Sequence, residues 1–195
     1  MTSLLPMFLF ALAASLSPGP VNLVGLGTGA RRGFLPGMLH VAGATCGFTV
    51  LLVLIGCGLQ ALLLQWPWLL ALIRWAGAAF FVYMAWKLWR DEGQLEAGEA
   101  RPGSLFLQGA LMQWLNPKAW LASAAGMGAF AADGEASRIG LFAALYFVVC
   151  FASLACWVWA GCHLRDWLQQ PRRVRLLNGG LAVMLLLCAP GMLLG

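Results

Sequence analysis

The sequence predicts an all-α integral membrane protein: six transmembrane helices in two inverted three-helix repeats, the first helix of each broken by proline. Three observations predict it. Of the 195 residues, 62% are hydrophobic and only 10% charged, whereas soluble domains carry roughly a half and a quarter. At about 20 to 25 residues per span, such a chain has room for six or seven helices and almost nothing else. Third, two short breaks, Ser17-Pro18-Gly19-Pro20 and Asn116-Pro117-Lys118, sit inside long apolar runs about a hundred residues apart. Proline removes a backbone donor and clashes with the preceding turn, and glycine adds backbone freedom, so neither stretch continues an α-helix.

Taken in order, the first span runs from about Leu4 to Leu26 with its break at Pro18, and a loop from Gly27 to Gly33 carries Arg31 and Arg32. The second runs from about Pro36 to Leu64; its small residues Gly37, Ala42, Gly43, Ala44 and Gly47 permit close helix contact. A turn at Gln65-Trp66-Pro67 leads to a third span, Trp68 to Trp89. Arg90 to Ser104 is the one substantial polar stretch. The fourth span covers Leu105 to Phe130, broken at Pro117, and the loop Ala131 to Ser137 leads to a fifth, Arg138 to Cys162. A basic connector, His163 to Arg175, precedes the sixth, Leu176 to Leu194. The whole chain, 1–195, reads as a single membrane domain, with repeat one at about 1–90, a cytoplasmic loop at about 90–104 and repeat two at about 105–195.

Lys and Arg collect in loops on the cytoplasmic side. Arg31, Arg32, Lys87, Arg90, Arg101, Arg165, Arg172, Arg173 and Arg175 follow spans one, three and five; only Arg138, and Arg74 snorkelling outward, belong to the other face. Both termini are therefore expected outside the cytoplasm. Trp66 and Trp68 mark the outer interface, and Trp86, Trp89 and Trp167 the inner one. Three spans per half force the second half to enter from the opposite side, so a repeat must be inverted. Leu16-Ser17-Pro18 then matches Leu115-Asn116-Pro117, and Arg74-Trp75-Ala76-Gly77 stands against Leu176-Leu177-Asn178-Gly179. Ala11-Leu12-Ala13-Ala14 is faintly like a signal cleavage site, but no Lys or Arg precedes it, so an uncleaved first helix is expected.

Freed backbone groups at membrane depth persist only where protein or a water-filled cavity surrounds them. Interrupted apolar segments at matching places in two halves are the sequence-level pointer to a transporter's binding site. The candidate substrate-binding residues are accordingly Pro18, Gly19, Pro20, Asn22, Asn116, Pro117 and Lys118. Every acid (Asp91, Glu92, Glu96, Glu99, Asp133, Glu135 and Asp166) falls in a loop or at a span end. Lys118 lies about 18 to 20 Å into its span, too deep for easy snorkelling, where a charge costs a few kcal/mol. Two readings follow. Its ammonium could meet the carboxylate of a transported ligand, or it could be a structural lysine bonded to freed carbonyls that holds the break together. The half-helix after Pro20 offers N–H groups suited to an anion. Asn22 and Asn116, with donors and acceptors, fit a zwitterion or cap the broken helices. Trp114 and Trp120 flank the second break, as pathway or packing residues, and His40 reads as a structural hydrogen-bonder.

The six cysteines, Cys46, Cys57, Cys150, Cys156, Cys162 and Cys188, are scattered singly without metal spacing, as small packing residues are. No catalytic cluster, nucleophile elbow or phosphate-binding glycine loop occurs. Enzyme readings are set aside, and no cofactor, metal or nucleic-acid partner is expected, despite a net charge of +5.

Several stretches resemble the LysE/RhtB family of bacterial amino-acid exporters: Ser17-Pro18-Gly19-Pro20 with the run to Gly29-Ala30-Arg31-Arg32-Gly33-Phe34, Trp75-Ala76-Gly77-Ala78-Ala79-Phe80 leading to Trp86-Lys87, and Asn116-Pro117-Lys118-Ala119. The resemblance implies a multi-pass carrier in the bacterial inner membrane that expels amino acids or close derivatives, driven by the proton motive force. Cys156-Trp157 with Ala160-Gly161 looks most like the cysteine/O-acetylserine exporter branch. Two departures stand out. Gly126-Met127-Gly128-Ala129-Phe130 replaces a Phe-Leu-Pro-Gln-Phe-like stretch, and Phe48 follows Gly47 where many members carry an acid. The expected partners are a small amino-acid substrate and the lipid bilayer. Glycine faces such as Gly179-Gly180 leave a homo-oligomer open. The rival readings are a structural or assembly subunit of a membrane complex and, further off, a membrane-embedded lipid enzyme.

Overall fold

The structure, a computed structural model, describes residues 4–59, 65–90, 102–164, 167 and 170–194. Among them lie eight α-helices and no strand. They are α1 (Leu4–Leu16), α2 (Pro20–Arg32), α3 (Phe34–Gly56), α4 (Pro67–Trp89), α5 (Pro102–Trp114), α6 (Pro117–Phe130), α7 (Ala136–Leu164) and α8 (Pro171–Leu194). Both expected breaks are present. Leu16 ends α1 and Pro20 starts α2 at a bend of 61°; Trp114 ends α5, and Pro117 takes the first turn of α6 behind an Asn116 cap. In each case proline stands where a helix begins, since its missing N–H would have no partner there.

Helices α3 and α7 are each long and apolar enough to cross a membrane, and α1 with α2 adds a third candidate if the bent pair is one span. Their outward faces carry bare aliphatic side chains, including Leu35, Val50 and Val148, the surface expected of a protein solvated by lipid rather than water.

Two sequence expectations are corrected. Gly27 to Gly33 is not a loop, because α2 continues to Arg32 and Gly33 alone joins it to α3. The glycines that suggested a loop are contact points instead. A Cβ on Gly29 would fall on the Val158 carbonyl of α7, and one on Gly161 would fall on the Leu26 carbonyl of α2. Gly33 makes the corner with φ of 88°, a backbone region that disfavours any side chain. The basic connector is likewise shorter than expected, since α8 already begins at Pro171 and takes in Arg172, Arg173 and Arg175. Within the expected loop Arg90–Ser104, residues 91–101 lie outside the described set, as does the end of the expected second span at 60–64.

A second reciprocal crossing joins α3 to α5, where a Cβ on Gly43 would meet the Phe106 carbonyl and one on Gly109 the His40 carbonyl. Lipid tails give helices little hydrophobic reason to associate, so close backbone approach through small residues supplies the contact. Helix α7 packs along α1 and α2, α3 along α5 and α6, α3 also meets α7, and α4 pairs with α8. The core between them is apolar, with Met7, Leu51, Leu52, Met112 and Phe142 fully enclosed.

Candidate functional site

Beyond Ala13, the last carbonyls of α1 have lost their helical donors, and each must find another. Ala13 O still has its helical donor, the Ser17 amide at 3.2 Å, but Ala14 O, opposite Pro18, must turn to the Ser17 hydroxyl at 3.1 Å. Asn22 reaches back across the break and donates its Nδ2 to Ser15 O at 2.8 Å. Trp157, on α7, donates its indole Nε1 to Leu16 O at 3.2 Å. Lys118 supplies the rest. Its Nζ donates to Ser17 O at 2.6 Å and approaches Pro18 O at 3.5 Å.

The break in the second half is closed by hydrogen bonds of the same kind. Asn116 Oδ1 caps α6 by accepting from the Lys118 amide at 3.1 Å, and Trp120 Nε1 donates to Trp114 O at 2.8 Å across the break. Lys118 therefore belongs to both interruptions. Its backbone starts α6, and its ammonium ties the freed carbonyls of the first break. Gly19 lies against its stem, 3.4 Å from Cδ to where a Cβ would stand. The carbonyl-bonded state of Lys118, one of its two sequence readings, is thus present. Trp114 and Trp120, in edge-on contact at 6.3 Å, brace the second break and are not among the residues lining the cavity beside it.

That cavity lies between the two breaks. Of the sequence candidates, Asn22, Asn116 and Lys118 line it; Pro18, Gly19, Pro20 and Pro117 shape the backbone beside it. Ser15, Gln113 and Tyr146, which complete much of the wall with Phe48 and Cys150, were not singled out in the sequence; Phe48 stood out only as a departure from the family pattern and Cys150 only as a packing cysteine. Gln113 could have been found as the amide three residues before Asn116, in the last turn of the helix that the break ends. Tyr146 and Cys150, one turn apart, were hidden in a continuous apolar span. Space open to water centres amounts to about 30 Å³. Each water needs roughly 10–15 Å³ by that measure, so two or three would fit, and an amino acid would require the walls to part.

Toward the α6–α7 loop the cavity is bordered by a cluster of tilted and edge-on aromatic rings. Tyr146 stands 4.5 Å from Phe48 and 5.5 Å from Phe142. Phe142 in turn meets Phe130 at 5.1 Å, and Phe130 meets Phe10 at 5.8 Å. Gly126 leaves room for this cluster, since a Cβ there would come within 2.7 Å of the Phe142 ring. Both departures from the family pattern, Phe48 and the segment 126–130, consequently meet at the cavity and its cover. The acids among the described residues, Asp133 and Glu135, pair with Arg138 in the loop beyond, at 3.0 and 3.3 Å. His40 is fully buried, with Nε2 in contact with Val21 O at 3.2 Å.

A helical bundle whose broken helices present polar groups to an interior cavity has a form suited to a membrane translocator. The model of the LysE type translocator family matches residues 12–194, and the chain belongs to that family. Over 191 residues, 96% of each chain, it is 29% identical to the cysteine/O-acetylserine efflux protein of Escherichia coli strain K12. It is 29% identical over 183 residues, 92% of each, to the protein of the same name from Shigella flexneri. To that of Escherichia coli O1:K1 / APEC it is 28% identical, again over 96% of each. No solved structure matches the chain.

Proposed function

We propose that the protein is a secondary exporter in the bacterial inner membrane that moves small amino acids or close derivatives out of the cytoplasm. Membership of the translocator family and the efflux proteins it resembles support export. The observation that carries the site is the Lys118 ammonium on Ser17 O, which joins both helix breaks at one cavity. A substrate carboxylate would replace the long contact to Pro18 O and share the ammonium. Asn22, Asn116 and the carbonyls near the breaks would hold the substrate ammonium.

The six spans of this reading are α1 with α2, α3, α4, α5 with α6, α7, and α8, with both termini outside. Exchanging the halves maps the packing of α3 on α5 and α6 onto that of α7 on α1 and α2, and leaves the α4–α8 and α3–α7 pairs unchanged. This supports an inverted repeat. Alternating access would then rock one repeat against the other, with the aromatic cluster as the outer closure. Drive by the proton motive force follows from the family resemblance.

The test is export itself. Bacteria expressing the chain are loaded with a panel of amino acids and dipeptides, and the medium is followed by mass spectrometry. Selective appearance of one or two small amino acids is expected. No change across the panel, with the protein in the membrane, would overturn the reading.

A further inference from the structure

Proton drive needs a group inside the membrane that takes up a proton and gives it back. The seven acids of the chain fall in loops or at span ends. Among side chains, histidine is the one that ordinarily titrates between about pH 5 and 8, and the chain holds two. His163, in the last turn of α7, is exposed, with Nδ1 in contact with Trp159 O at 3.0 Å. His40, in the second turn of α3, is enclosed, with 0% exposure.

His40 bridges α3 and α2. Its Nε2 meets Val21 O at 3.2 Å, and Val21 lines the cavity. A backbone carbonyl can only accept, so Nε2 must carry the hydrogen, and Nδ1 is left as the basic nitrogen. That Nδ1 has no hydrogen-bond partner among the described residues. An unpaired buried acceptor is costly, and a residue kept for packing alone would not bring one. Gly25 admits the ring to α2, 3.7 Å from Cδ2 to where a Cβ would stand. The elements around it offer no acid. Helix α5 has no titratable residue. Arg31 and Arg32 lie in the last turn of α2, Arg31 donating to Asn178 Oδ1 at 3.1 Å. On α7, Cys162 donates to Gly29 O at 3.5 Å, while Tyr146 and Cys150 face the cavity. Cys46 is on α3 itself, and Lys118 belongs to the breaks. A proton on Nδ1 would therefore bring a charge without a counter-ion into this closed packing.

We propose that His40 is the proton-carrying residue of the transport cycle. The proposal rests on the proton-driven export reading and assigns its coupling residue. The Nδ1 lone pair takes a proton from water that reaches the ring past Val21 when the outer side is open. It returns that proton to cytoplasmic water when α2 parts from α3. The N–H bond is the one bond made and broken, and nothing is oxidised or reduced.

The test uses the full chain in sealed proteoliposomes and the amino acid selected by the export panel, with radiolabelled cysteine tried first. His40→Gln keeps an N–H donor for Val21 O and removes the basic nitrogen. Wild type should exchange labelled for unlabelled substrate, and a gradient of about one pH unit should raise accumulation by up to about tenfold for one proton per substrate. His40→Gln should still exchange substrate, with a gradient-driven accumulation ratio close to one. Full gradient-driven accumulation in His40→Gln would overturn the assignment and leave proton-driven export standing. Exchange by wild type that ignores the gradient would remove proton drive, and the assignment with it. No exchange of any amino acid by wild type would remove export itself. A second measurement leaves His40 in place. In His163→Gln it is the only imidazole, and its ring nitrogens are read by nuclear magnetic resonance on isotope-labelled histidine. The ring should be neutral with hydrogen on Nε2 near pH 8 and doubly protonated by about pH 5. A ring with hydrogen on Nδ1 alone, or one that stays neutral throughout, would overturn the proposal even where His40→Gln fails to fold.

Discussion

Replacing Lys118 by methionine keeps most of the length and apolar stem of the side chain and removes its three donors. The 2.6 Å hydrogen bond from Nζ to Ser17 O disappears with them. A hydrogen bond to a charged group is worth about 1.5–3 kcal/mol, equivalent to roughly 10- to 150-fold in an equilibrium constant. If a substrate carboxylate is held by the same ammonium, efflux at low internal substrate should fall by a factor in that range. The assay is efflux per unit of membrane-inserted protein, with a thermal unfolding midpoint measured on the same preparation. Lys118→Met should lower both, and Lys118→Ala should abolish efflux while the protein still reaches the membrane. Lys118→Arg retains the charge, so it should recover much of the midpoint but less of the efflux, because its planar fork does not reproduce a point ammonium. Efflux within twofold of wild type in Lys118→Met would refute the reasoning. A lowered midpoint with unchanged efflux per folded molecule would assign Lys118 to bracing alone.

Three further outcomes are expected. Gly109→Ala and Gly161→Ala place a methyl group on backbone atoms of α3 and α2 that cannot rotate away, so each should lower stability by about 1–3 kcal/mol, read as loss of the folded, detergent-solubilised peak on heating. Asn22→Ala leaves Ser15 O without its 2.8 Å donor and should cost about 1–3 kcal/mol; Trp157→Phe, which removes the donor to Leu16 O while keeping a ring, should cost less, by the same measurement. Phe130→Ala withdraws a ring from the aromatic cover, and should speed labelling of Cys150 by a thiol reagent added from outside; an unchanged rate would remove these rings from the outer closure.

Much of the fold was legible because the solvent restricts it. Apolar runs of span length and prolines within them could be read directly, and Pro18 and Pro117 interrupt helices where expected. Gly27 and Gly29 misled, because a glycine that admits a neighbouring backbone and one that ends a helix look alike in one dimension. Nothing local distinguishes Gly29, pressed on Val158, from Gly33, which turns the chain. At the site, the breaks announced Asn22, Asn116 and Lys118, but not that Lys118 would reach the first break. That hydrogen bond joins residues 101 positions apart, and no periodicity encodes it. Trp120 read as a pathway or packing residue and Trp157 only as part of the family resemblance, and their indole N–H groups acquired a purpose only once the orphaned carbonyls were located. Ser15, Tyr146 and Cys150 sit at helical spacing in apolar spans, where a hydroxyl or thiol facing a cavity cannot be told from one facing a neighbour.

The most direct test of the central claim is transport by the purified chain alone in sealed proteoliposomes. An imposed proton gradient should drive accumulation of a small amino acid, and the drive should vanish when an ionophore collapses the gradient. Lys118→Met should show little accumulation in vesicles holding the same amount of protein. Purified, correctly folded wild type that moves no amino acid, with or without a gradient, would contradict the exporter account.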